Sequence, residues 1–268
     1  DSTEIGLPMK FSVFLPPQAQ QGPVPAVLYL AGLTCNEETF MVKAGAQRLA
    51  AELGLALIAP DTSPRGPQVE SLEGATASWD FGIGAGFYLD ATQEPWRTHW
   101  RMESYIVREL LPHLVQHLPI DGERIGIFGH SMGGHGALTL ALRHPGQFKT
   151  VSAFAPICAP TQCPWGDKAF SGYLGADETA WAAHDATALM DRLEHAPYPG
   201  GILIDQGLAD KFLPEQLNPH LFEAACARAG QVLQLRRHAG YDHGYYFIST
   251  FMADHLDHHA RQLQNRLD

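Results

Sequence analysis

Arg124-Ile-Gly-Ile-Phe-Gly-His-Ser-Met-Gly-Gly-His-Gly-Ala-Leu138 is the stretch whose reading decides the fold. Residues 124–128 are short and largely apolar, as in a buried strand, and they run into a glycine-rich turn. Beyond the turn, Gly134, Gly136 and the run Ala137-Leu-Thr-Leu-Ala-Leu142 suit a helix packed close on a sheet. The turn itself is Gly129-His-Ser131-Met-Gly133, the G-x-S-x-G arrangement that holds a serine hydroxyl at the tip of a sharp strand-to-helix bend. Glycines at 129 and 133 let strand and helix approach with no Cβ between them, and a helix N-terminus favours negative charge developing beside the serine. The bare pentapeptide is only moderately specific, since a structural turn that happens to contain serine reads the same. Its flanks favour a nucleophile elbow.

Working outward, the chain repeats a strand–helix–strand rhythm. Met9-Lys-Phe-Ser-Val-Phe-Leu15 alternates like a half-exposed strand and is ended by Pro16-Pro17. Pro25-Ala-Val-Leu-Tyr-Leu-Ala31 and Leu55-Ala-Leu-Ile-Ala59 are near-continuous apolar strands, as in the buried centre of a mostly parallel sheet. Between them, residues 39–53 carry apolar positions at helical spacing, with Gly54 as a stop. A helix is expected over 98–118, kinked at Pro112, and further strands over 150–155, 201–205 and 232–237. Residues 156–200 read as a mixed stretch with short helices around 178–194. Pro214 is placed to open a helix, and 245–263 to form the last one. Together these predict an α/β-hydrolase fold, a mostly parallel sheet flanked by helices, as a single domain over residues 1–268. Residues 60–97 break the rhythm with prolines, glycines and five aromatic side chains. A structured functional loop and a loop that merely packs over the sheet edge fit equally.

Composition narrows the partners. The chain has 268 residues, 45% of them hydrophobic, enough for one large core. Lys+Arg 18 against Asp+Glu 29 leaves a net charge of −11, and no basic stripe appears, so nucleic acid and membrane surfaces are not expected partners. No apolar run approaches the ~20 residues of a membrane span, and no signal peptide is visible, although the first residue is Asp. Four cysteines without a framework pattern point to reduced thiols in a cytoplasmic protein; Cys158 and Cys163 could bridge in an oxidising compartment.

Serine is a poor nucleophile at neutral pH and needs a base held by a third group. On this fold the order along the chain is Ser, acid, His. Among 14 histidines, His243 is the strongest base, in the Gly-bounded loop Gly240-Tyr-Asp-His-Gly244 after the last strand. His238 ends that strand and is expected to be solvated. His255 and His259 have metal-compatible i,i+4 spacing, but with His258 they read as a solvated helix face, and no metal or cofactor is expected. His130 and His135 flank the serine and are expected to face away from it. Asp205 and Asp210 compete for the acid. Asp210 is favoured because it lies in the loop beyond the strand, at the carboxyl edge where ligands collect. The oxyanion donors are expected to be the backbone amides of Met132 and Leu33.

The same residues carry a resemblance. Gly32-Leu-Thr-Cys-Asn36, Ala59-Pro-Asp-Thr-Ser-Pro-Arg-Gly66, Ser78-Trp-Asp-Phe-Gly82, Gly84-Ala-Gly-Phe-Tyr-Leu-Asp-Ala-Thr92 and the elbow resemble the esterase D family of serine hydrolases. So do Ser152-Ala-Phe-Ala-Pro-Ile-Cys158, the segment 163–175, Asp205-Gln-Gly207 and Gly240-Tyr-Asp-His-Gly-Tyr-Tyr-Phe247, which extends the match over nearly the whole chain. The resemblance implies a cytosolic thioesterase that releases formate and glutathione from S-formylglutathione, a small-molecule glutathione thioester. It maps the triad onto Ser131, Asp210 and His243 and the oxyanion amides onto Leu33 and Met132. Cys35 matches a family cysteine beside the site that makes such enzymes thiol-sensitive; as a bare residue it is a small buried thiol. Family members carry roughly another strand's length before Met9, so an N-terminal hairpin is expected to be trimmed or absent. Trp79 and Trp165 are the candidates for narrowing the acyl pocket. A short-chain carboxylesterase or acyltransferase is the alternative within this chemistry, and a non-catalytic binding protein of the same fold the alternative outside it. Oligomeric state is not fixed by the sequence; a homodimer is compatible with it.

Overall fold

The computed structural model describes residues 1–264. Seven strands form one sheet: β1 Phe11–Phe14, β2 Val24–Leu30, β3 Ala56–Pro60, β4 Ile120–His130, β5 Thr150–Phe154, β6 Ile202–Gly207 and β7 Leu233–His238. Their spatial order is β1-β3-β2-β4-β5-β6-β7, with β1 antiparallel to β3 and every other pairing parallel. This mostly parallel sheet, flanked by helices, is the α/β-hydrolase architecture. β2, β3 and β5 are buried along their whole length, which explains why they read as unbroken apolar runs; β7, at the edge, is half-buried and mixed in composition.

Parallel pairing matters for function because it brings the carboxyl ends of β2, β4, β6 and β7 to one edge. Each then opens into a segment singled out in the sequence: Gly32–Asn36, Ser131, Asp210 and His243. Among the described residues, no helix is long and apolar enough to cross a membrane.

Several boundaries differ from expectation, each for a local reason. The helix expected over 39–53 is two helices, Glu37–Lys43 and Gln47–Leu53, parted where Gly45 takes a φ of 66°. Gly54 does end the second in a left-handed conformation. The helix expected from 98 begins at Met102, and before Pro112 it widens into a π-helical stretch, Tyr105–Leu110, where the Leu111 amide bonds the Ile106 carbonyl. A widened turn reorganises the bonding that Pro112, having no N–H, cannot join, so a π stretch stands where a plain kink was expected. Pro214 sits in a short π-helical turn, Leu213–Leu217, and it is Pro219 that opens the regular helix Pro219–Ala229. Within 156–200 the main element is the helix Pro164–Leu174, followed by the short helices Glu178–Trp181 and Ala186–Asp191.

The largest correction concerns the last helix, Tyr245–Gln264. His255 and His259 are fully buried, and His258 is partly buried, so this is not a solvated face. His255 Nδ1 lies 2.8 Å from Ser152 Oγ and its Nε2 3.2 Å from Asp205; His259 contacts Ser152 Oγ at 2.9 Å and Thr150 Oγ1 at 2.5 Å. The two imidazoles therefore dock the helix onto polar atoms of β5 and β6. His238 is likewise tied down, 3.0 Å from Asp205 and stacked on Phe251 at 3.8 Å between ring centres. All four cysteines are free thiols.

Candidate active site

Ser131 terminates β4 in a backbone conformation that side chains rarely adopt, φ 58° and ψ −118°. Two glycines make the bend possible. A Cβ at Gly133 would fall 1.9 Å from the Leu30 carbonyl oxygen, and one at Gly129 would fall 2.2 Å from the Gly133 oxygen. The Ser131 amide donates to Phe154 O at 3.0 Å, and its carbonyl accepts from the His135 amide at 2.9 Å, which fixes the turn between β5 and the helix Met132–Arg143.

Asp210 and His243 meet in the loops beyond β6 and β7, with the His243 ring against that of His130, the residue before Ser131. His243 Nδ1 lies 2.5 Å from Asp210 Oδ2, while Asp210 Oδ1 accepts from the Phe212 amide at 2.8 Å. The Asp210 carboxylate is buried and His243 is 15% exposed. An imidazole held this way keeps its Nδ1 protonated toward the carboxylate and leaves Nε2 free to take or give a proton. The Ser131 hydroxyl forms no hydrogen bond with a described residue; bonds of this kind often tighten only when substrate is seated.

His130 does not face away, contrary to the expectation from sequence. Its ring packs 4.4 Å from that of His243, centre to centre, and both its nitrogens are buried without a hydrogen-bond partner among the described residues. Burial pushes its pKa well below the ordinary histidine value. It is thus a neutral ring against which the other imidazole rests. His135 does turn away, onto the Phe87 carbonyl at 3.1 Å.

The loop after β2 completes the site. A Cβ at Gly32 would lie 3.2 Å from the Ser131 Cβ, so this loop abuts the serine. Met132 opens its helix, where an amide has no helical acceptor, and Leu33 follows Gly32. Residues 60–97 hold this loop in place: the Thr34 amide donates to Gly84 O at 3.0 Å, and the Tyr88 hydroxyl donates to Ala31 O at 2.8 Å. Phe87 and Tyr88 are both buried at positive φ, so the segment is a shaped element and not a slack connection. Cys35 is partly buried, and that burial pushes its thiol pKa up, which makes it less reactive than a free thiol.

A row of rings leads away from the imidazole. Phe212 meets His243 edge-on at 5.0 Å, Trp165 meets Phe212 at 4.7 Å, and Trp79 meets Trp165 at 5.7 Å. The two tryptophans chosen from sequence are therefore linked to His243 through Phe212, which the sequence reading passed over although it lies two residues after Asp210. Among the described residues no cluster of three or more His, Cys, Asp or Glu is arranged to hold a metal ion.

Similarity to known proteins agrees with this geometry. A family model described as putative esterase matches residues 2–258. The S-formylglutathione hydrolase of Mus musculus is 52% identical over 263 residues, covering 98% of this chain and 92% of its own. The chain belongs to this esterase family. The S-formylglutathione hydrolase of Arabidopsis thaliana is 51% identical over 98% of the chain and 91% of its own length. The solved structure of an S-formylglutathione hydrolase from Agrobacterium tumefaciens superposes with a TM-score of 0.93 at 50% identity, covering 98% of this esterase and 92% of that chain.

Proposed function

We propose that this esterase is a cytoplasmic thioesterase that hydrolyses S-formylglutathione to formate and glutathione. The observation that carries the reading is the 2.5 Å contact between His243 Nδ1 and Asp210 Oδ2 at the sheet edge where Ser131 sits. Relatives at 52% and 51% identity that bear this substrate's name support it.

The reaction follows from the chemistry of the groups. Ser131 Oγ attacks the formyl carbon while His243 Nε2 takes its proton, and Asp210 stabilises the resulting imidazolium. The negative oxygen that forms is met by the backbone amides of Leu33 and Met132, whose dipoles are oriented before the reaction begins. The C–S bond then breaks and the sulfur leaves with the proton from His243. Thiolate is a good leaving group, so this step asks less of the acid than an amide would. Water, deprotonated by the same imidazole, attacks the formyl-serine; formate departs and Ser131 regains its proton. His130, buried and neutral, packs on the His243 ring and keeps it from tilting. The Phe212, Trp165 and Trp79 row narrows the acyl side, which suits a group as small as formyl. No step calls for a metal or cofactor.

The test is the ratio of kcat/KM for S-formylglutathione to that for an aryl acetate. A ratio well above one is expected; a ratio below one would make the protein a general short-chain esterase.

A further inference from the structure

A cavity of about 480 Å³ opens at the carboxyl end of β3, lined among others by Met9, Lys10, Asn36, Glu37, Asp61 and Arg65. That volume is typical of a small-molecule site. Its charged groups differ in what they already hold. Asp61 is paired with Arg65 through Nε at 2.8 Å, and Arg65 also donates to the Cys35 carbonyl at 2.9 Å. Lys10 is exposed. Glu37 is only 7% exposed, yet it forms no hydrogen bond or ion pair with any described residue. Acidic residues in a first helical turn are ordinary, but the reason requires no burial, and its neighbour Glu38 stays in solvent. Glu37 lines the cavity with no cation of a described residue on its carboxylate, so a cation arriving there would pair with it.

The cavity is also in the right place. Asn36 closes the loop that begins at Gly32, and Gly32 abuts Ser131. The Cys35 amide donates to Gly32 O, a tight turn that keeps those two Cα atoms within about 7 Å, and Asn36 lies one residue, about 3.8 Å, further on. In an extended glutathione thioester, seven bonds separate the sulfur from the α-carbon of the γ-glutamyl end, a reach of about 9 Å. That reach is of the same order as the separation these steps allow between Ser131 and Asn36, which lines the cavity.

We propose that this cavity is the subsite for the amino-acid end of the γ-glutamyl group, with Glu37 taking its α-ammonium and Lys10 and Arg65 its α-carboxylate. The proposal rests on the substrate reading above and specifies how a chain of net charge −11 holds a zwitterionic thiol. The mixed charge of the wall matches an ammonium and a carboxylate on one carbon, which a purely basic clamp would not.

The probe is S-methylglutathione, which cannot accept an acyl group, used as a competitive inhibitor of aryl-acetate hydrolysis. For Glu37→Gln, nearly isosteric, its Ki is expected to rise about tenfold, the loss appropriate to one charge-assisted hydrogen bond. N-acetylation of the inhibitor should weaken binding to the wild type by a similar factor and add nothing further in Glu37→Gln. Lys10→Gln, at an exposed position, should raise the Ki of both inhibitors together. Equal Ki values for wild type and Glu37→Gln, or an undiminished acetylation penalty in the variant, would overturn the proposal. So would a wild type that S-methylglutathione does not inhibit. Because the readout is binding against an unrelated ester, it stands apart from the substrate ratio. A wild type that is inhibited but shows no preference for S-formylglutathione would break the function and leave the subsite.

Discussion

Asp205 and Asp210 lie five residues apart at the end of the same strand, both carboxylates are buried, and they do opposite things. Asp205 is saturated. Arg236 grips both its oxygens at 2.6 and 2.5 Å, and His238 and His255 add contacts at 3.0 and 3.2 Å. These partners hold its carboxyl well below the usual carboxylate range despite burial, with His255 and Arg236 the main stabilising contacts. The guanidinium keeps its charge at any working pH, so the pair is a permanent staple joining β6, β7 and, through His255, the last helix. Asp210 has a single ion-pair partner among the described residues, His243, and an imidazole can change its charge. Burial and an imidazole partner do not by themselves separate the two, since Asp205 bonds two imidazoles as well; the difference is that a guanidinium already neutralises Asp205, whereas among the described residues Asp210 pairs with His243 alone.

Substituting each carboxylate separates the two roles. Asp210→Asn should lower kcat by a factor on the order of 10⁴, since an amide presents the wrong tautomer to His243, with little change in the denaturation midpoint. Asp205→Asn should act on stability. Breaking a buried ion pair costs about 3–5 kcal/mol, and the cost here should fall below that range because Arg236 is 26% exposed and still holds Asp254 at 2.7 Å. Its turnover per folded molecule should fall far less than that of Asp210→Asn, and the reverse ranking would exchange the two roles.

A smaller effect per site comes from acid. Burial pushes His135, His184 and His258 down to about 4. Their folded values lie below the unfolded value near 6.5, so the unfolded chain takes up protons first. Stability is then full above about pH 6.5 and falls as pH drops toward 4, by about 1 kcal/mol for each of the three at a pH one unit below 6.5. Asp205 is silent in that window, because its contribution is lost only when pH falls below the ordinary carboxylate range. Urea midpoints at pH 7 and pH 5.5 measure the slope; a flat response would mean that these imidazoles are not buried as neutral rings.

The contrast also shows where sequence is informative. The elbow was legible because its constraints are local: glycine at 129 and 133, and an apolar strand before them, appear within one short window. The preference for Asp210 over Asp205 rests on position relative to a strand's end, which can be estimated from apolar runs. Histidines read by polarity alone suggest a solvated face on the last helix, and here that expectation fails. Their i,i+4 spacing places His255 and His259 on the stripe of Ile248, Met252, Leu256 and Leu263, which is the buried face. What no pattern could supply was their partners, since the register that sets Asp205 beside Arg236 is a tertiary fact. His130 was misjudged for a similar reason: which way a ring turns at a strained bend depends on a loop more than a hundred residues away. Residues 60–97 could not be read by period at all, because their order comes from contacts such as Tyr88 with Ala31 and not from any repeat.

The most direct test is the rate of S-formylglutathione hydrolysis by Ser131→Ala, measured beside its thermal midpoint. The account predicts turnover lost by several orders of magnitude, with the folded state intact, because removing one hydroxyl at a glycine-built bend leaves the packing of β4 untouched. Residual turnover near that of the wild type, in a protein that melts normally, would contradict it.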